Sequence, residues 1–214
     1  MNQAPPPGSG YVQPRIFPVY NASRSNLTIT MEDDRPIFFV ENSSVRIHKP
    51  DVALHAGTDK HAPIVALCKF SRMSGDSKIG LGDPNRPNGV IWEELTRKSW
   101  NNSEYQWIFN FGGRERRQLT WKRTHSVGVG NDTPSFGSSR NFKLVDSHTN
   151  DILAVYNNAG MFHFNKCGKF QINVNYGREF DTMVFLTGLA LLEKARRRSR
   201  NSSGAAAGAA SAGS

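Results

Sequence analysis

Two short segments carry the excess positive charge of this chain, and clustered arginine and lysine are the side chains best suited to bind phosphate. The first segment, residues 111–125, opens with Gly112 and Gly113 and continues with five cations: Arg114, Arg116, Arg117, Lys122 and Arg123. A glycine turn can expose backbone N–H groups, and guanidinium groups can donate two parallel hydrogen bonds to one phosphate. The segment therefore predicts a phosphate-binding turn. The alternative is a solvated hairpin whose charges only keep an edge strand from aggregating.

The second segment lies near the end of the chain and contains Lys194, Arg196, Arg197, Arg198 and Arg200. Cations at the C-terminus of a helix interact favourably with the helix dipole, which is the plain interpretation of this basic patch. Five charges within seven residues exceed what that role needs. A nuclear-import signal or a contact to acidic lipid therefore stays open as the alternative.

Charge alone indicates an acidic partner without naming it. The 214 residues include 27 Lys and Arg against 18 Asp and Glu, a formal net charge of +9. The first segment has a net charge of +4, because it also contains Glu115, and the second has +5, so the rest of the chain is neutral. Nucleic acid, phospholipid and an acidic protein are all compatible partners. Four tryptophans could stack bases, but no nucleic-acid recognition motif accompanies them.

Patterns that mark catalytic or metal sites are missing from the sequence. It has no GxSxG elbow, no phosphate loop ending in Gly-Lys-Ser/Thr and no GxGxxG. Its histidines, at positions 48, 55, 61, 125, 148 and 163, lack the close spacing of zinc ligands, and Cys68 and Cys167 lie far apart. We expect no catalytic residue, no metal and no cofactor, and hence no enzyme.

Two cysteines and no secretory signal in the first twenty residues favour a reducing compartment. We expect a cytoplasmic protein, with peripheral attachment to a membrane or a nuclear location as further options.

Composition divides the chain into three parts. Residues 1–18 form a proline-rich arm expected to be disordered, and residues 199–214, made of small and polar side chains, predict a disordered tail. The folded body is then residues 19–198.

The body contains about a dozen short apolar or alternating runs separated by turn residues, which predict strands. They are residues 27–31, 36–40, 45–48, 52–55, 63–70, 78–81, 90–95, 105–111, 118–124, 141–145, 152–156, 161–164 and 169–174. Because no helical pattern lies between them, we expect a mainly β fold with an antiparallel sheet closed into a barrel.

Residues 178–198 differ from the rest of the body, because their apolar side chains fall on every side of a helix. Such a helix is either buried in a core or spans a membrane. The apolar stretch, residues 180–192, is interrupted by polar residues and is shorter than the roughly 20 residues that a span needs. We therefore predict a core helix along the axis of the barrel and no transmembrane span.

Four segments, residues 27–40, 119–122, 141–158 and 168–198, together with this layout, resemble the tubby C-terminal-like superfamily and within it a fungal tubby-like or LURP-one-related protein. The resemblance implies a barrel of about twelve strands around a hydrophobic C-terminal α-helix. It also implies phosphoinositide binding through basic side chains on the barrel surface. Scrambling of lipids is not expected, because the cysteine-rich stretch and terminal membrane helix of the scramblase members are missing.

We therefore expect a non-enzymatic tubby-like barrel domain, residues 19–198, that binds phosphoinositides or other acidic headgroups through its basic clusters. The alternatives are a nucleic-acid-binding or nuclear interaction protein, and a protein scaffold.

Overall fold

A computed structural model describes residues 13–23, 25–43, 49–111, 115–134, 138–159 and 165–211. They form twelve strands: β1 (Arg15–Asn21), β2 (Leu27–Thr30), β3 (Pro36–Asn42), β4 (Val52–His55), β5 (Ile64–Phe70), β6 (Ser77–Gly82), β7 (Val90–Arg97), β8 (Glu104–Phe111), β9 (Glu115–Arg123), β10 (Phe142–Asp146), β11 (Ile152–Asn158) and β12 (Lys166–Ile172). One helix follows them, α1 (Arg178–Ser211).

The strands close into one antiparallel barrel. Each strand pairs with its neighbours in the sequence, and β1 closes the ring by pairing with β12, with Arg15 opposite Ile172 and Phe17 opposite Phe170. The predicted closed antiparallel barrel is confirmed.

The core is formed by the alternate side chains of each strand that point into the barrel. On β8, Tyr105, Trp107 and Phe109 are buried, and on β9 Leu119 and Trp121 are buried. Successive side chains of a strand point to opposite faces, so these residues line the inside of the barrel while the residues between them face outwards.

The helix occupies the inside of this barrel. Every residue from 182 to 193 is buried, which requires apolar surroundings on all sides. The ring of Phe185 packs edge-on against Phe17 of β1 and Phe170 of β12, with ring centroids 5.0 and 5.3 Å apart. The indole N–H of Trp121 donates to the Thr187 hydroxyl over 2.8 Å, so this buried polar pair is satisfied.

The predicted core helix is therefore confirmed. Among the described residues, α1 included, no helix has an apolar run long enough to cross a membrane.

Residues 15–18 differ from the prediction, because they were expected to belong to the proline-rich arm and instead form the first half of β1. Pro18 lacks an N–H group, but Phe17 and Val19 on either side of it are buried in the core. Their burial outweighs the one hydrogen bond that proline cannot make.

The C-terminal tail also differs from the prediction, because α1 continues without a break to Ser211. Alanine has the highest helix propensity of all residues, and residues 205–210 are mostly alanine following a helix already formed. Residues 1–12 of the arm, residues 212–214 of the tail and the predicted strands 45–48 and 161–164 lie outside the described residues.

Candidate binding surfaces of the barrel

The first basic cluster lies on β9, and the strand divides it between two faces. Arg116 and Lys122 alternate with the buried Leu119 and Trp121 and therefore face outwards. Arg117 lies on the inward side, at the opposite end of the strand from Arg123. Arg114, with Gly112 and Gly113, lies outside the described residues.

Arg116 and Arg117 are both engaged with the protein itself. The Arg116 guanidinium lies 3.2 Å from Glu93 of β7. Arg117 donates from Nε to Glu115 over 2.6 Å and from Nη1 to the Tyr176 hydroxyl over 3.1 Å, and it lies over the ring of Phe111. The hydrogen bond to Glu115 raises the pKa of Arg117 above its usual value.

Arg123 lies six residues further along β9, roughly 20 Å away from Arg117 at the rise of a strand. Its Nε is buried without a hydrogen-bond partner among the described residues. The structure thus does not bring Arg116, Arg117, Lys122 and Arg123 together into one phosphate-binding turn.

The second basic cluster lies on α1, and three of its five cations close one end of the barrel. Lys194 donates from Nζ to the backbone carbonyls of Gly75 and Asp76 and lies over the rings of Phe70 and Tyr105, 5.0 and 5.3 Å from their centroids. Burial lowers the pKa of Lys194 to about 8.

Arg197 makes three hydrogen bonds to other described residues. It donates to Glu193 over 2.9 Å, to Asp51 over 2.6 Å and to the backbone carbonyl of Ser43 over 3.0 Å. Glu193 is only 2% exposed, so Arg197 neutralises a carboxylate inside the barrel. Its guanidinium also stacks on the ring of Phe70, 4.7 Å from the centroid.

The remaining cations of this cluster differ in exposure. Arg196 is mostly covered, with Nη1 3.9 Å from Glu193. Arg198 and Arg200 are exposed, and neither has an ion pair among the described residues.

Because α1 continues to Ser211, the cluster does not lie at the C-terminus of the helix. The predicted interaction with the helix dipole is therefore wrong for these residues.

A pair of lysines that the sequence analysis did not connect lies on the outer face. Lys122 of β9 is directly opposite Lys143 of β10 and, on its other side, opposite Glu104 of β8. Within the described residues, neither ammonium group has a hydrogen-bond or ion-pair partner. Only the register of β9 and β10 reveals this pair, because Lys143 stands alone in the sequence.

Histidine and cysteine side chains form no site among the described residues, where no group of three or more possible metal ligands occurs. His55 is buried and its Nδ1 lies 2.8 Å from the carbonyl of Ala62, while His48 and His163 lie outside the described residues. Cys68 is buried and Cys167 half-buried, and within the described residues neither forms a disulfide. Burial raises the pKa of Cys68 to about 12, which keeps this thiol protonated and unreactive at neutral pH.

The seam between β7 and β8 differs from the other strand pairs. The two eight-residue strands pair only through Thr96 with Gln106 and Arg97 with Tyr105, and a cavity of about 420 Å³ lies where they separate. We call this the β7–β8 seam.

Comparison with known proteins shows no family for the chain. It matches no protein-family model and no curated protein sequence. Among solved structures, it is similar to the X-ray structure of a protein from Arabidopsis thaliana, with 12% sequence identity and a TM-score of 0.48. The similarity covers 82% of this chain and 88% of that chain, and it gives no information on a ligand or an activity.

Proposed function

We propose that the protein is a non-enzymatic binding module for phosphate-bearing acidic partners, with acidic membrane headgroups, phosphoinositides among them, as the ligand class. The resemblance of its sequence to tubby-like domains suggests this class. The contact would be made by an outer-face lysine row, which we define as Lys98, Lys122 and Lys143.

The register of the strands supports the row. Lys122 lies between Glu104 and Lys143 on neighbouring strands, and the backbone N–H of Lys98 donates to the carbonyl of Glu104 over 2.9 Å. These positions alternate with buried ones such as Trp121, so their side chains face outwards. Three cations and one carboxylate therefore follow one another from the residue after β7 across β8, β9 and β10.

The two lysines that face each other at one end of the row, Lys122 and Lys143, are the observation that carries the proposal. Like charges directly opposite each other on neighbouring strands destabilise a sheet. Lys122 and Lys143 are directly opposite, and no carboxylate of the described residues bridges them. An anion between the two ammonium groups would relieve their repulsion, and a phosphate monoester is suited to that position.

The axial helix supports a surface role rather than catalysis inside the barrel. Helix residues 182–193 fill the position where a closed barrel would otherwise hold a deep ligand pocket.

Sedimentation with vesicles tests the proposal directly. Vesicles of phosphatidylcholine alone are compared with vesicles that also contain a phosphoinositide, for the wild type and for the double variant Lys122→Gln/Lys143→Gln. Each lysine near a charged membrane contributes about 1 kcal/mol, so losing two should weaken binding about 30-fold. The double variant should also be no less stable than the wild type, because it loses a like-charge pair.

The matched control is Lys60→Gln/Arg72→Gln, which removes two exposed cations elsewhere and changes the net charge equally. It should retain most of the affinity. Equal losses in both double variants, or no binding by the wild type, would show the proposal to be wrong. Tighter binding to nucleic acid than to the vesicles at the same salt concentration would assign the lysines to a different partner and overturn it as well.

A further inference from the structure

The β7–β8 loop, residues 98–103, carries a large apolar side chain in water beside the lysine row. Trp100 lies in the turn of this loop and is 90% exposed. Of the other tryptophans, Trp107 and Trp121 are buried in the barrel, and Trp92 is less than half exposed. A single exposed apolar side chain is common on protein surfaces. What distinguishes Trp100 is the turn that holds it and the charges beside it.

The turn that presents Trp100 is fixed by hydrogen bonds of its own. The backbone N–H of Asn102 donates to the carbonyl of Ser99 over 3.2 Å, which places Trp100 at a central position of a four-residue turn. The hydroxyl of Ser99 accepts from the backbone N–H groups of Ser103 and Glu104, both over 2.8 Å. Backbone groups that are already paired cost little when they leave water, so this turn can enter a less polar medium.

The base of the same loop carries the first cation of the lysine row. Lys98 is exposed, and its backbone N–H donates to the carbonyl of Glu104, which lies directly opposite Lys122. The row therefore begins two residues before Trp100 and continues across β8, β9 and β10. The turn and the row form one continuous surface, aromatic at one end and cationic along its length.

The boundary between water and a membrane matches both parts of this surface. Acidic headgroups attract lysines, and tryptophan rings collect at the depth of the headgroups, where the ring is covered and its N–H stays hydrated. The affinity of a protein for such a boundary increases with the apolar area that it buries and with its attraction to acidic lipid.

The neighbouring β5–β6 turn, residues 71–76, provides a comparison within the same molecule. Met73 in this turn is fully exposed, and the turn contacts the base of the β7–β8 loop, because the backbone N–H of Arg97 donates to Asp76 Oδ1 over 2.8 Å. The order of the strands places the β5–β6 turn on the side of β7 away from the lysine row. At the usual spacing of strands it is roughly 10 Å from the β7–β8 loop.

We propose that Trp100 inserts into the headgroup region of an acidic membrane and anchors the barrel there, while the lysine row binds the headgroups beside it. The insertion rests on the proposed function, because it takes the partner of the row to be a membrane. It adds an apolar contact at a defined point and so turns the β7–β8 loop towards the bilayer. Added salt should weaken the attraction of the lysines much more than the insertion of the ring.

Intrinsic fluorescence follows Trp100 directly. The probe is a vesicle of phosphatidylcholine with a phosphoinositide, prepared in a second series with phosphatidylcholine brominated on its acyl chains, because bromine quenches a nearby indole. Subtracting the spectrum of Trp100→Phe from that of the wild type isolates the emission of Trp100. When the protein binds, this emission should shift to shorter wavelength and should be quenched by the brominated lipid.

Sedimentation with the same vesicles measures the contribution of Trp100 to affinity. Trp100→Ser should bind about tenfold more weakly, because covering a large apolar side chain contributes at least this much. Trp100→Phe should keep most of the affinity. The matched control is Met73→Ser, which also removes an exposed apolar side chain from a turn and should bind as the wild type does.

Failure of the insertion and failure of the proposed function give different results. If the wild type binds the vesicles but the emission of Trp100 neither shifts nor is quenched, or if Trp100→Ser binds as tightly as the wild type, the insertion is wrong and the proposed function stands. An equal loss of affinity in Met73→Ser would also overturn the insertion, since any exposed apolar side chain would then serve. If the wild type binds no acidic vesicle, the proposed function is wrong and the insertion is wrong with it.

Discussion

The two basic clusters are similar in composition and are used differently by the fold. The cluster on β9 is divided by the alternation of the strand, so its cations lie on two faces and at two ends. The cluster on α1 lies on a helix inside the barrel, and three of its cations turn towards carboxylates, carbonyls and aromatic rings. Three cations of the helix cluster are thus part of the structure, whereas Arg198 and Arg200 at its end are exposed.

This difference shows that cations which lie close together in the sequence are not necessarily available to bind a partner. Asp51 and Glu193 neutralise Arg197, although Asp51 is 146 residues away from it in the chain. Lys143 is isolated in the sequence and yet stands beside Lys122.

The largest effect should come from Arg197→Gln, which removes the partner of a buried carboxylate. Glu193 would keep only Arg196, 3.9 Å away, and breaking a buried ion pair of this kind should cost about 2–4 kcal/mol of the free energy of unfolding. Urea unfolding followed by tryptophan fluorescence measures it. The control Arg116→Gln, in the other cluster, should change stability by less than about 0.5 kcal/mol. If both variants lose the same free energy, the contrast between the clusters does not hold.

Lys194→Met should alter the pH dependence of stability. The unfolded chain keeps a proton on Lys194 up to the ordinary pKa of 10.5, whereas the folded protein releases it near pH 8. Between these values the unfolded state binds more protons, so this lysine makes the free energy of unfolding rise with pH, by at most about 1.4 kcal/mol per pH unit. Its contribution is lost as the pH falls through 8.

The measurement is the difference in unfolding free energy between the wild type and Lys194→Met, from pH 7 to 10.5. Below pH 9 the difference reports Lys194; above pH 9 it also contains a contribution from Cys68, whose raised pKa has the opposite effect and which interacts with Lys194. A difference that stays constant over this range would show that Lys194 titrates normally.

Arg117→Gln should have a smaller effect, about 1 kcal/mol, because the guanidinium is partly exposed and Glu115 and Tyr176 can be hydrated. The buried Asp146, 3.8 Å away, keeps its hydrogen bonds from the backbone N–H groups of His148 and Thr149. Thermal unfolding measures it, with Arg117→Lys as a second variant that keeps the charge and loses the fork of donors. If Arg117→Lys were as stable as the wild type, charge alone would explain the role of this residue.

The smallest effect should come from Arg198→Gln/Arg200→Gln. Both side chains are exposed, so the unfolding free energy should stay within about 0.5 kcal/mol of the wild type. A larger loss of unfolding free energy would mean that Arg198 and Arg200 also help to close the end of the barrel.

Much of the fold could be predicted from local patterns. Alternating apolar runs predicted eleven of the twelve strands, and apolar residues on every side of residues 180–192 predicted the buried helix. The sequence pattern places β1 in the arm as far as Pro18, because prolines usually interrupt strands. The burial of Phe17, which would indicate a strand, depends on a helix 168 residues later in the chain and so is not visible locally. The extent of α1 was missed because alanine and glycine in the tail indicated disorder more strongly than helix.

The candidate surfaces could be predicted only in part. Lys122 was recognised as a candidate, but its neighbour Lys143 and the open seam depend on the pairing of strands, which no local pattern encodes. Likewise, Arg197 was recognised as a cation, but its role follows from Asp51 on a loop that the fold brings to it.

The position of the core helix after all twelve strands has a consequence for synthesis. Ribosomes add about 5–20 residues per second from the N-terminus, so all twelve strands leave the ribosome before the helix that fills them. Until residues 180–195 are made, side chains such as Trp121, Phe170 and Tyr156 have no helix to pack against. The ring of strands also cannot close before β12 is available to pair with β1. The inner faces of the nascent strands therefore lack their packing partner until the helix is released, and folding of the core is completed only then.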